Sequence, residues 1–209
     1  MNRLLACTLA LITTATSVAA FGQETAAKQE RKFYVAFRMK DWKAKHIHDN
    51  AAAKKHAETL KTLGCEVRTV QHAGHLDVQC RTVYWKSLEL DSHDQAHQWV
   101  SWLQQSGFDT IHGHAAKQRP ANGDKPVEIV KYRLVDWKSR HIHDSTELNQ
   151  LLTLYKALGC QMETSDHNGH TDVKAVCPEW MEIELPSHEA AHKWEEFLKD
   201  GGFETQHEH

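Results

Sequence analysis

Histidines recur through this chain in short pairs: His46-Ile47-His48, His72-Ala73-Gly74-His75, His93 with His97, and His112-Gly113-His114. Each pair returns 95 positions later, as His141/His143, His167/His170, His188/His192 and His207/His209. Imidazole binds borderline-soft metal ions and takes up a proton near neutral pH, so the chemistry on offer is metal coordination or a pH response. In extended backbone, residues two apart project to one side, which pairs His46 with His48 and His112 with His114. His93 and His97 lie four apart, one helical turn stacked on the next, a frequent two-histidine grip on a metal. None of these spacings is specific alone; the signal is their convergence, twice over.

The pairs belong to a duplication. Residues 33–114 slide onto 128–209 without a gap, with 33 of the 82 pairs identical, and eight of those identities are histidine. Of 17 histidines only His56 lacks a counterpart, since position 151 is Leu; His56 reads as an ordinary helix residue. Repeated imidazoles amid changed neighbours indicate a shared task.

Coordination is favoured over proton sensing. His46, His48 and His93 fall beside expected helix N-termini, whose partial positive charge disfavours imidazolium, and neutral imidazole is the form that binds metal. A nitrogen-rich donor set with a few carboxylates suits Zn²⁺, Cu²⁺, Ni²⁺ or Co²⁺, with zinc or copper foremost, rather than Ca²⁺ or Mg²⁺. Two other readings stand beside metal storage, delivery or sensing. A metal-dependent hydrolase would need an open coordination position and a base, for which Asp41/Asp136 or Asp77/Asp172 are candidates. A protein-interaction module could instead switch as its histidines charge. No Cys-x-x-Cys-His sequence marks a haem attachment site.

Composition narrows the partners. A net charge of −3 argues against nucleic-acid binding, and a mean hydropathy of −0.63 against stable membrane insertion. Residues 1–20 read as a secretory signal: Arg3, an apolar run from Leu4 to Val18, then Val18-Ala19-Ala20 for cleavage. An exported protein, periplasmic or secreted, is the expectation, with 21–31 as an N-terminal linker. In that compartment Cys65 with Cys80, and Cys160 with Cys177, would form one disulfide per repeat. Cys177 aligns with Thr82 rather than Cys80, a two-residue shift that preserves the side of a strand.

The elements that must position the histidines follow from periodicity and punctuation. Tyr34–Met39 and Ile129–Leu134 read as first strands, followed by Asp-Trp-Lys and His-Ile-His-Asp. Asp49 and Asp144 are expected helix N-caps, and Gly64 and Gly159 helix stops. Hairpins turn at 72–75 and 167–170, the latter through Asn168-Gly169. The return strand is expected to break at Pro178. Ser92 and Ser187 cap a second helix with Ala96, Trp99, Trp102 and Leu103 on its buried side; a last strand follows Gly107. The order β-α-β-β-α-β, given twice, predicts an α+β chain made of tandem ferredoxin-like repeats, 32–114 and 128–209, joined by a linker over 115–127. That topology sorts the histidines by pole. The first pole gathers 46, 48, 72 and 75, the second 93, 97, 112 and 114, and the second repeat does likewise.

Overall fold

A computed structural model describes residues 32–72, 74–116 and 128–208 of the chain. The expected signal segment 1–20, the linker 21–31, most of the linker 115–127 and His209 lie outside the described residues. Among those described, the chain is mixed α+β, with four helices and two antiparallel sheets, and no helix is long and apolar enough to cross a membrane.

The first half runs β1 (Phe33–Ile47), α1 (Asn50–Thr62), β2 (Glu66–His72), β3 (His75–Leu90), α2 (His93–Gln105) and β4 (Asp109–Ile111). The short β5 (His114–Ala115) follows. The second half runs β6 (Glu128–Ile142), α3 (Ser145–Ala157), β7 (Gln161–His167), β8 (His170–Leu185), α4 (His188–Asp200) and β9 (Glu204–Glu208). The sheets are ordered β2-β3-β1-β4 and β7-β8-β6-β9, and β5 joins the second sheet on β8. This order is compatible with a tandem ferredoxin-like duplication.

Local chemistry sets the element ends as expected. Asp49 Oδ1 accepts from Ala52 N at 2.7 Å and Asp144 Oδ1 from Glu147 N at 2.7 Å, while Ser92 and Ser187 Oγ accept from Gln95 and Ala190 N, each at 3.2 Å. Each bond satisfies an N–H that the helix itself leaves without a partner. Asn168 and Gly169 take φ of 48° and 81°, the paired positive values of a tight hairpin turn.

The first strand is longer than its hydrophobic pattern implied. β1 and β6 continue through Asp-Trp-Lys to Ile47 and Ile142. They do so across two compensating register shifts: Phe37↔Lys86, Met39↔Thr82 and Lys43↔Cys80, and the same at Tyr132↔Met181, Leu134↔Cys177 and Lys138↔Ala175. The shifts scramble the inside-outside alternation that announces a strand. Pro178, expected to break the return strand, sits in the irregular stretch between Cys177 and Met181, where its missing N–H costs no ladder bond, and β8 passes through unbroken.

Odd-numbered Val35, Phe37 and Met39 of β1 pack on Ala53, Ala57 and Leu60 of α1 and on Ala96 and Leu103 of α2. The opposite side of that sheet is also covered. Ala36, Trp85 and Ile111 join the core of the second half, because α3 packs against β1 and β3 as well as its own sheet. Helix α3 is accordingly apolar around much of its circumference, with Leu148, Leu151, Leu152, Leu154 and Tyr155 all in that core.

The expected disulfides are absent: Cys65, Cys80, Cys160 and Cys177 are free thiols, not at bonding distance. The register explains the first pair. Glu66 pairs with Arg81, which places Cys65 across from Thr82, so Cys80 is only a diagonal neighbour and points its thiol at Met39 Sδ, 3.6 Å away. Cys160 does stand opposite Cys177, and the two share a thiol hydrogen bond. Burial pushes Cys65 up to about 11 and raises Cys80 as well, so these thiols stay protonated and are poor metal ligands.

Candidate metal centres

The extension of β1 builds the first pole. It carries His46 directly opposite Asp77 of β3, and His46 Nδ1–H donates to Asp77 Oδ1 in a 2.5 Å hydrogen bond. With Nδ1–H so occupied, Nε2 is the unprotonated nitrogen that would ligate, the carboxylate–histidine arrangement common behind metal ligands. His48 follows just past β1 and His75 opens β3 beyond the hairpin. Ring centroids of His46, His48 and His75 lie 4.1–5.3 Å apart, and one ligand nitrogen from each falls within 4.8 Å of the others. The His72 backbone closes the hairpin opposite His75, but its side chain lies outside what is described.

The second repeat reproduces this pole with more members. His141, His167 and His170 form the mutually close group, and the His143 ring lies 4.9 Å from His141 and 5.2 Å from His170. Asp172 accepts from His141 Nδ1 at 2.7 Å and lies 3.6 Å from His167 Nε2. The hydrogen bond from His141 holds the Asp172 carboxyl below its ordinary range. An open cavity of about 410 Å³ adjoins the group, lined by His143, His167 and His170. Partial desolvation and then the neighbouring rings lower the His170 pKa, which favours the ligating form.

At the other pole the helix pairs behave as their spacing predicts. Nε2 atoms of His93 and His97 face each other at 3.2 Å, and those of His188 and His192 at 2.9 Å. Two nitrogens on a tetrahedral zinc with Zn–N of about 2.0–2.1 Å sit about 3.3 Å apart. The last strand brings His112 to the first pair and His207 to the second, completing groups within 4.8 Å. His114 also lies here, its ring 5.4, 5.6 and 5.9 Å from those of His93, His97 and His112.

His112 is the best-defined candidate ligand. It is 7% exposed, and its Nδ1–H donates to the Tyr34 carbonyl at 2.9 Å, which fixes the tautomer. Nε2 is then a buried lone pair with no hydrogen-bond partner among the described residues. Burial drives the His112 pKa down to about 4; the Tyr34 bond opposes the shift and the surrounding imidazoles add to it. A buried acceptor left without a donor is costly unless something occupies it. His97 is lowered in the same direction, by burial and then by His93.

Two carboxylates escaped sequence reasoning. Glu128 Oε2 lies 3.0 Å from His207 Nε2 and 3.6 Å from His188 Nδ1, and Glu182 Oε1 lies 3.7 Å from His114 Nδ1. Neither is repeated: their counterparts are Phe33 and Ser87, so a search for shared residues passes over them. The available signal was an acidic residue inside an apolar strand. Asp41 and Asp136, weighed as hydrolytic bases, are exposed and belong to none of the histidine groups. His56 is half-buried beside Trp102, ring centroids 5.4 Å apart, as an ordinary helix residue would be.

No protein-family model matches the chain, and no curated protein matches it significantly.

Proposed function

We propose that this is an exported transition-metal-binding protein, built as two ferredoxin-like repeats that each hold one site at either pole. Zinc or copper is the leading ion, and sequestration, delivery or sensing the role. The observation that carries the reading is the grouping of imidazoles. Four sets of three histidines, each drawn from segments remote in sequence, place ligand nitrogens within 4.8 Å of one another. Nitrogen spacings of 2.9 and 3.2 Å match adjacent positions on a tetrahedral ion, and the carboxylates of Asp77 and Asp172 fix the tautomers of His46 and His141. Four sites in parallel suit holding and exchanging ions better than turnover. The aspartates nearest the sites are engaged with ligands and so are not placed to act as free bases. The signal-like run of the first twenty residues supports export, and the 95-residue repeat supports duplication.

Removing the helical grip tests the reading. In a chain carrying His93→Ala and His97→Ala, bound zinc should fall by one equivalent relative to the parent and the remaining sites should keep theirs. An unchanged stoichiometry would remove this group from the account.

A further inference from the structure

The two sites at the second pole are not equivalent, and the difference comes from where the chain goes after β4. In the second repeat the strand continues, so β9 stays paired to β6 out to Glu208. In the first repeat pairing to β1 ends at Ile111, and the chain crosses to the other sheet, where His114 pairs with Glu182 and Ala115 with Met181 of β8. Gly113 makes the crossing possible. Its N–H donates to the Ala157 carbonyl at 2.7 Å, and a Cβ there would run into the Tyr132 hydroxyl and the Leu158 carbonyl. The equivalent residue is Glu208, so this crossing belongs to the first repeat alone.

The crossing brings the His114 ring beside the three imidazoles whose ligand nitrogens lie within 4.8 Å of one another. All six centroid separations among His93, His97, His112 and His114 fall between 4.4 and 5.9 Å. Four imidazoles on one tetrahedral zinc, at Zn–N of about 2.0–2.1 Å, would place their centroids about 5.2 Å apart. Two of the four are buried, His112 at 7% and His114 at 4% exposure. Behind His114 stands Glu182, 2% exposed, with Lys131 beside it in the ladder. Glu182 Oε1 lies 3.7 Å from His114 Nδ1, close enough to offset part of the two charges that a divalent ion on four neutral imidazoles would carry.

From this arrangement we infer that His93, His97, His112 and His114 form a closed, four-imidazole site that is shared between the repeats. Glu182 of the second repeat is the positioning residue that orients His114 and balances the ion's charge. The inference rests on the metal-binding reading and goes beyond it by separating two classes of site. This one has its coordination filled by protein and ties the two sheets together. Among the described residues, the site of His188, His192 and His207 has an exposed rim and the carboxylate of Glu128 in place of a fourth, buried imidazole. Closed four-ligand geometry is that of structural zinc; an open position is that of exchangeable or catalytic metal.

The test uses the full chain with the other three groups disabled by His46→Ala, His141→Ala and His188→Ala, loaded with Zn²⁺ against a competing chelator and, separately, with Co²⁺. The expected result is one equivalent of zinc, bound 10- to 100-fold more weakly after Glu182→Gln and more weakly still after His114→Ala. Bound Co²⁺ should show the intense visible absorption of a four-coordinate ion, unchanged by added azide. Should affinity be the same in all three chains, or should azide alter the Co²⁺ spectrum, the shared closed site is overturned while metal binding stands. No zinc in the disabled chain, with zinc retained by the parent, rejects this site alone. No zinc in either rejects the metal reading itself.

Discussion

At the scale of single residues, the buried imidazoles make stability depend on pH in a calculable direction. His112 titrates near 4 in the folded chain and near 6.5 when unfolded. Between those values the unfolded chain holds a proton that the folded chain does not, so stability is fully present above about 6.5 and is lost as pH falls towards 4. The difference corresponds to an effect on the order of 3 kcal/mol for this one group. His97 adds to it in the same sense. Metal-free protein, kept in chelator, should therefore show a falling Tm from pH 7 to 4, and His112→Gln should flatten the slope. A wild-type Tm constant over that range would contradict the burial of a neutral ring. The candidate imidazoles were legible at this scale because duplication filtered them; the carboxylates Glu128 and Glu182 were not, since each stands in one repeat only.

At the scale of elements, the caps, hairpins and helices were legible because each depends on a few adjacent residues. Strand length was not. The register shifts in β1 and β6 break the two-residue period, and pairing to β3 and β8, a non-local effect, restores the strand afterwards. The irregular stretch also exposes backbone groups that need partners. Gln150 on α3 supplies both for Trp85: its Oε1 accepts from Trp85 N at 2.5 Å and its Nε2 donates to Trp85 O at 3.2 Å. Loss of that amide leaves a partly buried N–H and C=O without partners, each costing about 1–3 kcal/mol before water relieves it. Gln150→Ala should lower the urea midpoint accordingly, while Lys55→Ala, at the equivalent place in α1, should change it little. Equal effects of the two would show that the α3 contact is not what secures the strand. The disulfide expectation failed here too: Cys160 and Cys177 face each other as hydrogen-bonded thiols that are not bonded, and the register keeps Cys65 and Cys80 from standing opposite each other.

At the scale of the whole molecule, a repeat that looks symmetric in sequence becomes asymmetric by stacking one half on the other. The substitutions that differ between copies mark the contact: Ala36, Ile111 and His56 stand where the second copy has Lys131, Gln206 and Leu151. Helix α3 is apolar where α1 is not, and the sheet it covers is apolar where its counterpart carries polar residues. That pattern was present in the sequence, but only the paired burial of Ala36, Trp85 and Ile111 with α3 gives it meaning. The poles themselves followed from topology, which is why histidines scattered along the chain could be sorted before any side chain was placed. The central claim is that these poles hold ions. Metal-free protein loaded with excess Zn²⁺, freed of unbound ion by gel filtration and assayed by elemental analysis, should approach four equivalents per chain, one for each histidine group, and lose them as pH drops through the imidazole range. Retention of no zinc, copper, nickel or cobalt at neutral pH would contradict it.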